Sequence, residues 1–312
     1  MSTTLSLRPS QIDDVELKFL REQTGISDPA KLKEHVLAVQ TKAYEIYGYP
    51  CIRLFSFVRL RISRLPAYVK VLNLLRERPT ALCLDLGCCC AFRLNKTRML
   101  ASAHHVIVGT DVRKLATDGF PIEQLIASDL HKEFWNYGHE LFQTTPETLP
   151  IKFLEGDIFD PGFMQATTSP LESPLKLDTI TSLTPLAGQL SVIHASYFFH
   201  LFSEHKQLEL AKILAKLLSP QPGSLILGAH TSREEQGTRT RPYRGQGDQA
   251  GEMFCHSPGS WVELWQSVFP TGSVQVDARL VKRGDPGSHP ADMVAPLDVA
   301  DAGVLEWSCM RL

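Results

Sequence analysis

The rhythm of hydrophobic and polar positions changes near residue 80. Before it, Pro29 to Tyr47 sets Leu32, His35, Val36, Val39, Ala43 and Ile46 three and four residues apart, and Pro66 to Leu75 repeats the pattern with Tyr68, Val69, Val71, Leu72 and Leu75. This spacing predicts amphipathic helices that bury one face. Between them Tyr49-Pro50-Cys51-Ile52-Arg53 reads as a turn leading into an aromatic stretch that ends near Phe57. Residues 1–78 are therefore expected to form an N-terminal helical cover over a sheet edge.

Beyond that point short apolar runs alternate with helical segments. The runs are Thr80 to Gly87, Leu125 to Asp129, Ile151 to Asp157, Leu190 to Ser196 and Gly223 to Gly228, with candidate helices at Phe134 to Phe142 and Gln207 to Leu218 among the separators. Strands buried on both faces and alternating with helices predict a parallel sheet. Val274 to Leu280 and Val304 to Arg311 read as a closing pair of strands. The expected fold is α/β: a Rossmann-like, doubly wound, mostly parallel seven-stranded sheet over residues 79–312. Thr231 to Glu252, rich in Arg, Gly, Gln and Thr, reads as a loop after the fifth strand, either a binding lid or plain surface.

Composition narrows the function. With 312 residues, 43 % hydrophobic and 21 % charged, the chain has an ordinary globular make-up. Its 32 basic against 34 acidic residues give a formal charge of −2, which argues against a nucleic-acid binder, since phosphate neutralisation needs a basic surplus. No secretory leader and no run of ~18 apolar residues is apparent, so no membrane span is expected. The seven cysteines are odd in number, and Cys88, Cys89 and Cys90 are adjacent, which suits reduced thiols in the cytoplasm. Although His104 and His105 follow the triplet, no paired C-x-x-C spacing exists, and no metal is expected.

Three strands end in a carboxylate: Asp85, Asp129 and Asp157. In a doubly wound sheet ligands bind outside the carboxyl ends of the strands, so these acids converge on one crevice. A carboxylate accepts two hydrogen bonds, which lets Asp129 hold a ribose diol and Asp157 accept from an adenine amino group, with Ile158 and Phe159 packing the base. A dinucleotide site would carry G-x-G-x-x-G after the first strand. The turn here reads Asp85-Leu86-Gly87-Cys88-Cys89, which suits S-adenosylmethionine, a cofactor without phosphate, and makes a dehydrogenase a distant alternative.

These residues and others resemble a known family. The stretches Asp85-Leu86-Gly87-Cys88-Cys89, Gly109-Thr110-Asp111-Val112-Arg113, Ala127-Ser128-Asp129-Leu130, Gly156-Asp157-Ile158-Phe159-Asp160, Ile193-His194-Ala195-Ser196 with His200-Leu201-Phe202, and His256-Ser257 before Trp261 and Trp265 are similar to the fungal class I S-adenosylmethionine-dependent methyltransferases of meroterpenoid biosynthesis, of the austinol, terretonin and andrastin type. The resemblance covers roughly residues 30–310. It implies methyl transfer to a carboxylate of a farnesylated aromatic polyketide, a small-molecule acceptor, and a possible homodimer. It places Gly87, Cys88, Gly109, Ser128, Leu130, Gly156, His194 and Ala195 around the cofactor beside Asp85, Asp129, Asp157 and Ile158, with Arg113 on the methionine carboxylate.

A carboxylic acid of pKa ~4 is ionised at neutral pH, so such a site needs orienting groups and no strong base. Arg53 is expected to pair with the acceptor carboxylate, and His200 and His256 to donate hydrogen bonds to it. Each has a structural alternative: Arg53 capping surface carbonyls, His200 satisfied in the core, His256 capping the helix near Pro258. Two or three of Tyr44, Tyr47, Phe55, Phe57, Tyr197, Phe198 and Phe199 are expected to line the acceptor pocket, the rest to be core.

One departure interrupts the family motif. It runs as D-L-G-C-C-x-G-x-D-x-R-x-L without a break, whereas here Ala91 to Val108 separate Cys90 from Gly109. These 18 residues correspond to 54 nucleotides, a size typical of fungal introns, and show neither helical periodicity nor turn chemistry. They read as a translated, unspliced intron; a genuine loop over the cofactor is the competing reading, and the competing functions are a methyltransferase fold impaired by it or a methyltransferase acting on another small-molecule hydroxyl or carboxylate.

Overall fold

The computed structural model describes residues 12–46, 52, 55–88, 108–165, 175–240, 252–282, 284–285 and 302–312. Arg53, Tyr47 and residues 91–107 of the insertion lie outside this set. Seven α-helices and nine strands are present among the described residues. The cover contains α1 (Asp14–Thr24), α2 (Pro29–Ile46) and α3 (Tyr68–Glu77). Asp13 starts α1 through a capping box, accepting from the Glu16 backbone N–H while the Glu16 side chain reaches back, and Gly25 ends it at φ 70°.

The main sheet has the order β3-β2-β1-β4-β5-β9-β8. Its parallel part is β1 (Leu82–Leu86), β2 (Leu125–Asp129), β3 (Lys152–Glu155), β4 (Leu190–His194) and β5 (Leu225–Arg233); β8 (Val274–Val281) and β9 (Ala302–Arg311) complete it. β9 runs antiparallel to both β5 and β8. The sheet is therefore seven-stranded, mostly parallel and doubly wound, as expected. The order reverses between β1 and β4, which places the ligand crevice above those strands.

One half of the core joins the cover to the sheet: Leu20, Val36 and Leu74 cluster with Val112, Phe134 and Val192 from the sheet and from α4 (Thr110–Thr117) and α5 (Lys132–Leu141). The other half packs Leu210 and Leu214 of α6 (Glu204–Leu217) and Trp261 and Trp265 of α7 (Pro258–Val268) on Ile193, Ile226 and Trp307. The stretch Thr231 to Glu252 differs from its reading as a loop. β5 continues to Arg233 because β9 extends alongside it, pairing Thr231 with Val304 and Arg233 with Ala302. Next, β6 (Gly237–Thr240) pairs with β7 (Glu252–Cys255) as a separate antiparallel ribbon.

Candidate active site

The turn after β1 is tied to β2 by its backbone. Gly87 N–H donates to the Ser128 carbonyl at 2.9 Å and Cys88 N–H to the same oxygen at 3.4 Å. Gly109 caps α4 with φ 71°, and its N–H donates to the Cys88 carbonyl at 3.2 Å. A Cβ at Gly109 would stand 2.5 Å from the Trp135 ring, so this left-handed turn requires glycine.

A crevice opens at the carboxyl ends of β1, β2 and β3. Leu86, Gly87, Ser128, Asp129 and Leu130 form one side of it. Gly156, Asp157 and Ile158 follow β3, and Phe198 and Phe202 close the lining. Phe202 meets Phe159 and Phe198 edge to face, with ring centres 5.0 and 5.2 Å apart. Asp129 Oδ1 accepts from His131 N–H at 3.2 Å, and Asp157 Oδ1 from Phe159 N–H at 2.9 Å. Ser128 Oγ is buried and meets no hydrogen-bond partner among the described residues. A ligand with hydroxyl groups meets that need, since buried polar atoms are costly when unpaired.

Asp85 is held from the neighbouring strand β4. Its Oδ1 lies 2.8 Å from His194 Nδ1, and His194 Nε2 lies 2.7 Å from Ser196 Oγ, which also accepts from Ala229 N–H at 3.1 Å. A carboxylate only accepts, so Nδ1 carries the proton. The bridge joins β1 to β4 where the strand order reverses, and the second Asp85 oxygen has no partner among the described residues. Burial alone would lower the His194 pKa, but the Asp85 hydrogen bond and the charges of Asp85 and Asp111 outweigh it and raise the value. Ala195 next to it is fully buried, its N–H bonded to Leu227 O at 2.9 Å.

Arg113 is buried over the Trp135 and Phe142 rings, and its Nη1 donates to the carbonyls of Val108 at 3.0 Å and Gly109 at 3.1 Å. This nitrogen ties α4 back to the turn that precedes it. Asp111 receives the N–H groups of Arg61 and Ile62 on Oδ1 at 2.8 and 2.9 Å, while Thr110 Oγ1 donates to the Phe57 carbonyl at 2.6 Å. The strip between α2 and α3 is thereby fastened to the start of α4. Its Arg61 guanidinium lies 3.9 Å from the centre of the Tyr197 ring.

His200 and His256 come together above β4 and β5 with a third histidine, His230. His200 stands on the 3-10 turn Phe199–Leu201, its ring centre 6.4 Å from that of His230 on β5. Both His230 and His256 approach Trp261, at 4.5 and 5.3 Å. Burial pushes the His256 pKa down to about 4 and also lowers that of His230, with His200 and His256 adding to the second effect. The helix near Pro258 is capped by Ser257, and His256 Nδ1 instead faces Ser260 Oγ at 2.9 Å. Of the aromatic candidates, Phe198 lines the crevice, whereas Phe55, Phe57 and Phe199 are packed in the core. No group of three or more His, Cys, Asp or Glu is placed to hold a metal ion among the described residues.

Sequence reading missed Phe202 in the crevice lining and His230 beside His200. The strand-end rule that marks Asp85 covers His230 as well, but polar Thr231 and Ser232 made the strand appear to stop at Gly228.

Comparison with known proteins adds an independent line. A family model described as the meroterpenoid methyltransferase N-terminal domain matches residues 5–58. The O-methyltransferase phiE of Fungal sp. (strain ATCC 74256) is 32 % identical over 77 % of this chain and 66 % of its own length. The Asnovolin E/Chermesin D methyltransferase nvfJ of Aspergillus novofumigatus is 32 % identical over 78 % of this chain and 72 % of its own. Methyltransferase trt5 of Aspergillus terreus is 30 % identical over 76 % and 70 %. The chain spans about two thirds of the length of the first curated relatives it matches.

Proposed function

The chain belongs to the fungal meroterpenoid methyltransferase family, and from that premise we propose that it transfers a methyl group from S-adenosylmethionine to a carboxylate of a farnesylated aromatic polyketide, giving a methyl ester. The crevice over β1, β2 and β3 carries this reading. It offers Asp129 to a ribose diol, Asp157 and Ile158 to an adenine, and the unpaired Ser128 Oγ to a further polar atom, with no glycine series for a pyrophosphate.

When bound, the cofactor supplies a methyl group activated by its sulfonium charge. The protein's part is to bind, orient and exclude water. A carboxylate acceptor arrives already ionised, so no side chain need remove a proton. Holding the reacting atoms close and aligned contributes ~7–11 kcal/mol. The Phe198 and Phe202 rings keep their side of the crevice apolar, with Phe159 packed against Phe202. Arg53, His200 and His256 remain the groups assigned to the acceptor carboxylate.

Calorimetry with S-adenosylhomocysteine tests the cofactor half of the proposal. Wild-type protein is expected to bind it, and Asp129→Ala to bind at least about tenfold more weakly, the loss of one good pair of hydrogen bonds to a charged group. Absence of heat with the wild-type chain would sink the methyltransferase reading and favour an impaired fold.

A further inference from the structure

Resting on the reading above, we infer that His230 is a neutral hydrogen-bond donor that positions the carboxylate of the acceptor and selects for it. The cofactor crevice occupies the β1, β2 and β3 side of the switch point, which leaves the carboxyl ends of β4 and β5 for the acceptor. His230 stands there, three residues past Leu227, the last β5 residue that pairs with β4. The turn that carries His200 is bracketed by the crevice-lining Phe198 and Phe202, so the histidine cluster backs the crevice wall.

Hydrogen-bond accounting fixes what His230 can do. Trp307 Nε1 lies 3.0 Å from His230 Nδ1. An indole N–H only donates, so Nδ1 must present its lone pair and the ring proton must sit on Nε2. Protonating the ring would set two N–H groups against each other, which keeps the imidazole neutral. Nε2–H is then a permanent donor, and it is buried without a partner among the described residues. The Trp261 N–H, whose ring centre is 4.5 Å from that of His230, is a second buried donor in the same condition, and His256 Nε2 is a third unpaired nitrogen. Two neighbouring buried donors, His230 Nε2–H and the Trp261 N–H, lack acceptors among the described residues, which calls for a ligand that brings acceptor oxygen.

A carboxylate fits better than a hydroxyl, because it offers several lone pairs and brings no proton of its own. Neutral donors also suit the reaction. Imidazole and indole N–H groups fix the oxygens and leave in place the charge that has to attack the methyl carbon.

The test uses the full chain with bound S-adenosylhomocysteine and, as probe, a farnesylated dihydroxybenzoate, with its primary amide as control. Calorimetry should show the acid bound and the amide at least tenfold weaker. His230→Leu should lose at least tenfold in affinity for the acid and keep its affinity for S-adenosylhomocysteine. His230→Gln, which returns an N–H near the Nε2 position, should recover most of the loss, and His230→Asn should not. Equal affinity for the acid in wild type and His230→Leu overturns the inference while leaving the methyltransferase reading intact. If His230→Leu fails to fold, nitrogen-15 NMR of the wild-type chain decides. The His230 Nε2–H signal should persist from pH 8 to 5 and move when the acid is added; a mobile tautomer, or no movement with saturating acid, overturns it.

Discussion

Glu16 is fully buried on α1, where Arg59 Nη1 reaches its carboxylate at 2.8 Å and Arg64 Nη2 at 3.1 Å. Desolvation raises its pKa against the pull of both arginines. The same side chain closes the α1 capping box, so one residue starts a helix and anchors the strip that runs from Arg59 to Ile62 into Asp111. Breaking a buried ion pair from one side leaves an uncompensated charge, at a cost of about 3–5 kcal/mol. Glu16→Ala should therefore lower unfolding stability by roughly 3 kcal/mol or more. Pairing Glu16→Met with Arg59→Met should recover part of this loss, because the second charge is removed too. Denaturant midpoints for the three proteins check both expectations.

At the scale of elements, the hydrogen bond between Gly109 N–H and Cys88 O, 3.2 Å long, has the form of a turn closed across three residues if Cys90 is followed directly by Gly109. We propose that residues 91–108 are dispensable to that turn. Val108 is buried, with its carbonyl on Arg113, and in a shortened chain Cys90 would take its place. A chain lacking 91–108 should melt no lower than the full chain and bind S-adenosylhomocysteine at least as tightly. A lower melting temperature with lost binding would show that the segment belongs to the working enzyme.

Which elements were legible in the sequence follows from how local their causes are. Leu125 to Asp129 is read to the residue, because it is apolar on both faces and is bounded by its own turn and acid. The end of β5 is not, since Thr231 to Arg233 have no strand pattern of their own and are held extended by β9. Asp129 and Asp157 reach the crevice as strand-end residues do. By contrast, what Asp85 and Arg113 contact depends on His194 and on Trp135 and Phe142, partners that only the folded chain brings near.

Across the whole molecule, buried histidines set the response to acid. The pKa values of His139, His230 and His256 lie below the ordinary 6.5, those of His139 and His256 at about 4. Each takes up a proton more readily unfolded than folded, so stability falls as pH drops below about 6.5 and stops falling near the folded values. For His256 alone, a drop from 6.5 to about 4 corresponds to an order of 3 kcal/mol. His194 works in the opposite sense: its raised pKa adds stability below pH 6.5, lost as pH rises through the folded value. Among the buried histidines three oppose one, so their net effect is acid destabilisation, while the raised Glu16 and Asp111 carboxyls act in the sense of His194. Melting temperatures at pH 7.5, 6 and 5 should decline, and His256→Gln should flatten the decline.

The placement of β9 between β5 and β8 bears on how the chain is made. During synthesis β5 leaves the ribosome before its lateral partner, Ala302–Arg311, exists. At ~5–20 residues per second the interval is roughly 3–14 seconds. Throughout it a nine-residue strand, Leu225–Arg233, offers an open edge on one side. Sheet closure thus waits on the synthesis of β9, and a nascent chain stalled before Ala302 presents that edge to chaperones and to other nascent chains.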